Sequence, residues 1–307
     1  MTVDREGIQS PLYLDDDGLL RESSRWQKAV ASLRKDKSAL FGVLILLVVV
    51  LCAVLAPIIS PANPHEQLLS RSLKPPLWSD GQRIYILGTD HLGRDFLSRL
   101  IYGTRVSLAV GFFAVFLTGS VGLLVGLVSG YFGGKVDFVF MRLVDLVLSF
   151  PFILLALATI AIVGPSLTVL ILVMSMRIWV IYARVVRGEV LSLREQEFVQ
   201  GARSIGSSHI RIIFRHILPN VLAPVIIIAS IYLGRMIIIE AGLSFLGLGV
   251  PPPTPTWGGL LSDGKVYLYT AWWVVTFPGL AITITVLGSN LVGDWLRNVL
   301  DPRLNSL

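Results

Sequence analysis

Six stretches of this chain are apolar over a length that can cross a lipid bilayer, and that leaves few folds open. They run over 39–59, 106–128, 143–163, 166–183, 221–239 and 271–292. Crossing about 30 Å of hydrocarbon at about 1.5 Å per helical residue takes about 20 residues. In lipid each backbone N–H and C=O has to be satisfied within its own segment, so such runs become helices. The expected fold is all-α, a polytopic membrane protein with six transmembrane helices. Composition agrees: 15% of residues are charged, where a soluble domain carries about 25%.

Charge placement orients the chain. Residues 1–38 hold seven Lys/Arg and are too long and polar for the charged region of a secretion signal. No small-residue cleavage site follows, so 39–59 is expected to be an uncleaved anchor. With an inside N-terminus, the inner pieces are 1–38, about 129–142, 184–220 and 293–307. They carry seventeen Lys/Arg against seven in the outer pieces 60–105, 164–165 and 240–270. That bias places both termini in the cytoplasm. The outer loop 60–105 strains it, with Arg71, Lys74, Arg83, Arg94, Arg99 and Arg105. The core is expected over 106–292, with five of the six spans and the inner loop 184–220.

Several classes of chemistry find no residues to carry them. The net charge of +6 sits in short loops beside apolar runs, which is a topology signal rather than a nucleic-acid surface. Cys52 is the single cysteine, and His65, His91, His209 and His216 have no metal-ligand spacing, so no metal site is expected. No H-E-x-x-H, G-x-S-x-G or G-x-x-x-x-G-K-[ST] motif occurs. No catalytic residue and no nucleotide site are therefore expected in this chain. A self-powered transporter or channel would need an intramembrane acid relay, yet 106–128, 166–183 and 271–292 contain no acid and Asp145 lies at a span edge.

Gly and Pro punctuate the spans. Gly119, Gly122 and Gly126 fall near one face of the second run, and Gly122-x-x-x-Gly126 permits close helix approach. Pro151 is expected to kink the third span.

The segment 193–219 is basic and amphipathic and cannot sit in lipid. Residues 193–204 read as one helix with Phe198, Val199, Ala202 and Ile205 apolar and Arg194, Glu195, Gln196, Gln200 and Arg203 mostly elsewhere. Gly206 breaks it as a C-terminal glycine does, and Ser207 or Ser208 can cap the next helix. That helix is expected over 209–217, with Ile210, Ile213, Phe214 and Ile217 on one face and Arg211 and Arg215 on the other, and Pro219 stopping it. Two readings follow: a pair of interfacial helices anchored in headgroups, or a docking element for a groove on a soluble partner.

Gln200-Gly201-Ala202-x-x-x-Gly206, nine residues, then His216-Ile217-Leu218-Pro219 resembles the EAA loop of ABC-importer permeases, whose pattern is E-A-A-x-x-x-G, nine residues, then I-x-L-P. Ala202, Gly206, Leu218 and Pro219 match, while Gln200, Gly201 and His216 depart. Leu87-Gly88-Thr89-Asp90-His91-Leu92-Gly93-Arg94-Asp95, Tyr182-Ala183-Arg184-Val185-Val186-Arg187-Gly188, Leu243-Ser244-Phe245-Leu246-Gly247-Leu248-Gly249 and Asp301-Pro302-Arg303 are similar to blocks of the dipeptide/oligopeptide (peptide/nickel) permease family, C-type subunit. The resemblance covers about residues 35–305.

That resemblance implies a type I importer permease fold in a prokaryotic plasma membrane. It implies a homologous B-type permease, two ABC ATPases that bind ATP and Mg, an extracytoplasmic peptide-binding protein and a short peptide cargo. No cofactor is implied for this chain itself. Nickel and glutathione importers share the subfamily, so those cargoes stay open. Glu197, Gln200, Gly201, Ala202, Arg203, Gly206, Arg211, Leu218 and Pro219 would contact an ATPase. Arg177 and Arg235, each mid-span, face either a structural partner or a wet pathway; with Glu240 they are the pathway candidates. The Gly- and Pro-rich outer segment offers Pro253, Pro255 and Trp257 as candidate contacts for the binding protein, or else is a rigid connector.

Overall fold

A computed structural model describes residues 31–300 and two short antiparallel strands, β1 (Leu12–Leu14) and β2 (Leu20–Glu22). The rest of the N-terminal region, and the end of the C-terminal tail with Asp301-Pro302-Arg303, lie outside the described residues. Helix α1 (Lys37–Ile59) starts where the Asp36 carboxylate accepts from the N–H groups of Ser38 (2.9 Å) and Ala39 (3.0 Å), satisfying donors that a helix start leaves open.

Helix α2 (Phe96–Phe132) begins well before the expected residue 106, because Asp95 caps it by accepting from Ser98 N–H at 2.8 Å. Its 37 residues extend about 55 Å, so one end stands clear of the hydrocarbon.

The third run is broken rather than kinked. Helices α3 (Gly134–Ser149) and α4 (Phe152–Val163) meet at 87°. Proline forces the residue before it out of the helical region, and Phe150 is extended at φ −92°, ψ 132°. Among the described residues five helices are long and apolar enough to span; α3 and α4 supply a sixth span only when taken together.

Helix α5 (Leu167–Leu193) runs past the expected end of the fourth span. A turn at 194–196 separates it from α6 (Glu197–Ser204), so the single helix expected over 193–204 is split. Helix α7 covers His209–Phe245 without interruption. Pro219 does not stop it. Proline has no N–H and its ring crowds the carbonyl four residues back. Ile213–Ile217 form a π-helical turn in which Leu218 N–H reaches Ile213 C=O; such a turn relieves the clash without ending the helix. Asn220 Nδ2 also donates to His216 C=O at 2.6 Å. Two helices complete the chain: α8 (Trp257–Gly264), capped by Thr256, and α9 (Trp273–Leu300).

Helix α2 lies against α5 along a glycine edge, as the small-residue pattern predicts. A Cβ on Gly122 would come within 2.5 Å of Trp179 O, and one on Gly126 within 2.8 Å of Ala183 O. The edge continues at Gly130, against Val190 and Arg187. Without side chains there, the two backbones close up and gain contact that lipid cannot supply. Val110, Ala114, Met174, Ile178, Tyr182 and Met236 join α2, α5 and α7 in one core.

The outer loop is a folded lobe. It carries a small hairpin, β3 (Trp78–Ser79) with β4 (Ile84–Tyr85). At its centre is buried Asp90, which accepts from the N–H groups of Leu92 and Arg94 (both 2.9 Å), from Arg94 Nε (2.6 Å) and from Arg99 Nη1. Arg71 pairs with Asp80 at 2.9 Å. Three of the bases that strained the topology are therefore tied to acids of the same lobe. Trp273 Nε1 donates to Thr89 C=O at 3.1 Å and fastens the lobe to α9.

Candidate functional site

The inner elbow between α6 and α7 is built by hydrogen bonds local to the chain. Gly206 has φ +76°. Its N–H donates to Arg203 C=O (2.9 Å) and Ser207 N–H donates to Ala202 C=O (3.0 Å), the paired bonds of a Schellman end. Ser208 Oγ then accepts from Arg211 N–H at 3.4 Å and starts α7.

One side of the elbow is buried. Val199, Ala202, Ile212 and Ile217 pack on Leu127, Tyr131, Val186 and Val190. The other side is open: Ile205 is 83% exposed, Ile210 72% and Phe214 61%. The apolar faces expected from helical spacing are thus divided. Ile212, outside the expected face, is buried, and Ile210 and Phe214 point away from the bundle. Glu197, Gln200, Gly201, Arg203, Arg211 and Pro219 are exposed, Leu218 is half-buried and Ala202 is buried. Of the nine expected contact residues seven are exposed, while half-buried Leu218 and buried Ala202 belong to the packed side.

Two contacts that sequence spacing did not suggest fasten the elbow to α2. Tyr131 Oη and His209 Nδ1 are 2.8 Å apart, and the Arg203 guanidinium lies 5.3 Å from the centre of the Tyr131 ring. Arg194 donates to Gly130 C=O at 3.3 Å. The elbow is held against the inner ends of α2 and α5, where the glycine edge also ends. The elbow therefore packs on both α2 and α5.

Arg177 on α5 and Arg235 on α7 are both exposed. Arg235 lies over its own Tyr232 ring at 5.4 Å, flanked by exposed Ile231 and Ile238. A mid-span arginine facing lipid costs about 2.5–3.5 kcal/mol on insertion scales, so these faces call for a protein or water neighbour. Glu240 does not belong with them. It is fully buried and accepts from Ser244 Oγ at 2.8 Å, and its other oxygen, beside Gly258, is buried without a hydrogen-bond partner. Among the described residues no ion pair joins it to Arg235. The helix turns its carboxyl into the packed interior, beside α8.

The outer segment also departs from expectation. Trp257 is buried: its N–H donates to Ser107 Oγ (3.0 Å) and its Nε1 to Leu100 C=O (3.2 Å), over the missing side chain of Gly103. Pro255 is buried as well, and Pro253 is exposed. Trp257 is thus an anchor holding α8 on α2, and Pro253 alone of the three faces outward. A tryptophan between prolines and glycines gives no sequence signal of which way it points.

Residues 122–306 match the model of the family described as the binding-protein-dependent transport system inner membrane component. Residues 24–76 match the N-terminal TM domain of oligopeptide transport permease C. The chain is 43% identical over 285 residues to the dipeptide transport system permease protein DppC of Alkalihalophilus pseudofirmus, covering 92% of this chain and 91% of the relative. It is 45% identical over 272 residues to the protein of that name from Escherichia coli K12, covering 88% and 91%. The di/tripeptide transport system permease protein DppC of Pseudomonas aeruginosa is 42% identical, with 92% of each chain covered. Among solved structures, an inward-facing form of the MetNI methionine ABC transporter shares the fold. The likeness has a TM-score of 0.53 and 24% identity, and it covers 66% of this chain and 96% of that one.

Proposed function

This chain belongs to the family of binding-protein-dependent transport system inner membrane components, and we propose that it works as the C-type membrane subunit of an ATP-driven importer of short peptides. The cargo follows the relatives' names, dipeptide and di/tripeptide permeases. The chain supplies the path. A B-type permease completes the path, two ABC ATPases bind ATP and Mg, and an extracytoplasmic binding protein delivers the peptide. Both termini lie in the cytoplasm, on the side of the seventeen Lys/Arg.

The observation that carries this reading is the open apolar face of the elbow, Ile205, Ile210 and Phe214 among arginines. Amphipathic helices of this kind fill grooves on soluble partners. ATP binding draws the two ATPases together, the elbow follows, and α2 and α5 move with it. The outer and inner ends of the path open in turn.

One of Arg177 and Arg235 lines the path and meets the peptide's carboxylate. The test is ATP-dependent uptake of a labelled dipeptide into proteoliposomes holding the complete transporter, with binding protein outside. Losing one charge-assisted hydrogen bond should lower uptake about tenfold in Arg177→Ala or Arg235→Ala, with the ATPases still co-purifying at wild-type amounts. Wild-type uptake in both variants would remove the arginines from the path. Wild-type transporter that takes up no dipeptide with ATP and binding protein present would remove the peptide reading.

A further inference from the structure

The outer lobe and the 246–263 segment enclose a cleft of about 290 Å³ with buried Arg94 and Arg99 along its inner side. The two guanidiniums share one carboxylate oxygen: Asp90 Oδ2 accepts from Arg94 Nε at 2.6 Å and from Arg99 Nη1. The next acid, Asp263, is 3.9 Å from Arg99 Nη2, beyond hydrogen-bond reach, and its side chain is 41% exposed at the cleft's edge. Arg99 Nε is buried with no acceptor. Among the described residues nothing accepts from the terminal nitrogens of Arg94, which are not sealed from solvent as Arg99 Nε is. A guanidinium presents five N–H donors in a planar fork, and buried donors are normally matched. Asp90 and the more distant Asp263 balance the two cations in number, so what this wall lacks is hydrogen-bond acceptors rather than negative charge.

We propose that the cleft receives a carboxylate, held by Arg94 and Arg99 at the outer mouth of the transporter. The inference rests on the peptide-importer reading and adds a site to it. A carboxylate matches the guanidinium fork with two parallel bonds. Two sources carry that group here: the C-terminus of a short peptide, or an acidic side chain of the binding protein. Size favours the peptide, since the cleft is near the small end of ligand sites and takes one end of a short chain. Asp263 favours it too, because its exposed carboxylate beside the cleft suits the ammonium at the peptide's other end.

The experiment uses the complete transporter in nanodiscs without binding protein, and a labelled dialanine against its C-terminal amide. Expected is measurable binding of dialanine, about tenfold weaker for the amide, which cannot accept as a carboxylate does. Ser262→Phe fills the cleft without touching the Arg94–Asp90–Arg99 cluster and should weaken dialanine about as much. Thr254→Trp, on the exposed stretch of the same wall, repeats the test should Ser262→Phe fail to fold. If dialanine does not bind but binding protein docks about tenfold more weakly to the filled variants, the carboxylate is the binding protein's. Equal binding of dialanine and its amide would overturn the site. So would filled variants that bind dialanine and binding protein as wild type does. Wild-type uptake in proteoliposomes checks the peptide reading separately.

Discussion

Replacing Asp90 by alanine is expected to destabilise the outer lobe by about 3–5 kcal/mol, the range for removing one partner of a buried ion pair. Arg94 and Arg99 are nearly inaccessible to solvent, and alanine would strand Arg94 and leave Arg99 only the more distant Asp263, at 3.9 Å. It would also release the N–H groups of Leu92 and Arg94, which form the turn around Gly93. That turn has no slack: a Cβ on Gly93 would sit 1.9 Å from Leu68 C=O. Asp90→Ala protein should fail to accumulate in the membrane, or should unfold at a clearly lower temperature in detergent. Asp90→Asn, which keeps the shape and loses the charge, should fall between. An Asp90→Ala chain as stable as wild type would mean that the two arginines do not depend on this acid.

The same cluster fixes the sign of the acid response. Burial pushes the Asp90 carboxyl up, and the Arg99 and Arg94 guanidiniums outweigh it, so its pKa lies below the ordinary 3.8. A depressed carboxylate contributes its stabilisation above the ordinary value and loses it as pH falls through the lowered one. The lobe should therefore keep its fold through mild acid and weaken only below the usual carboxylate range.

Gly206→Pro should have the larger effect on transport. Proline fixes φ near −65°, while Gly206 needs +76°. It also deletes the N–H that donates to Arg203 C=O. The local cost is about 3 kcal/mol or more, as for a proline forced where it removes a helical bond. The elbow would no longer turn from α6 into α7, and Ile205 would leave Ile210 and Phe214. Insertion of the spans needs none of this. Expected is a chain present in the membrane, no ATPase recovered with it, and uptake at background. Gly206→Ala, which strains the same φ by about 1–2 kcal/mol, should lose part of both. Recovery of the ATPases with Gly206→Pro at wild-type amounts would count against the elbow.

The spans were legible because hydrophobicity over about 20 residues is a demand of the bilayer itself. Their ends were not. Helix α2 starts at Asp95, a cap that hydropathy does not register, and α5 runs past the apolar stretch to Leu193. Pro151 signalled a disturbance but not its 87° extent. Pro219 was a misleading stop, since the π-turn at Ile213–Ile217 absorbs it and rotates the following side chains. The expected apolar face was also displaced before that turn begins, with Ile212 buried and Ile210 exposed. In the outer lobe the signal is one acid serving arginines four and nine residues ahead, a pairing that no periodicity reveals. Trp257 was unreadable for a related reason: it is fixed by a distant backbone, at Leu100.

The open face of the elbow either rests in lipid headgroups or fits an ATPase, and one cross-linking measurement separates these. With Cys52 replaced by serine the chain has no other cysteine, so Ile205→Cys places a single thiol on the most exposed apolar residue of the elbow. In the complete transporter, a short thiol cross-linker is predicted to join this position to an ATPase subunit, in a yield that changes when ATP is added. Failure to cross-link to the ATPase, with the thiol reacting instead with a lipid-borne probe and ATP making no difference, would make the elbow a membrane anchor and contradict its role as the coupling contact.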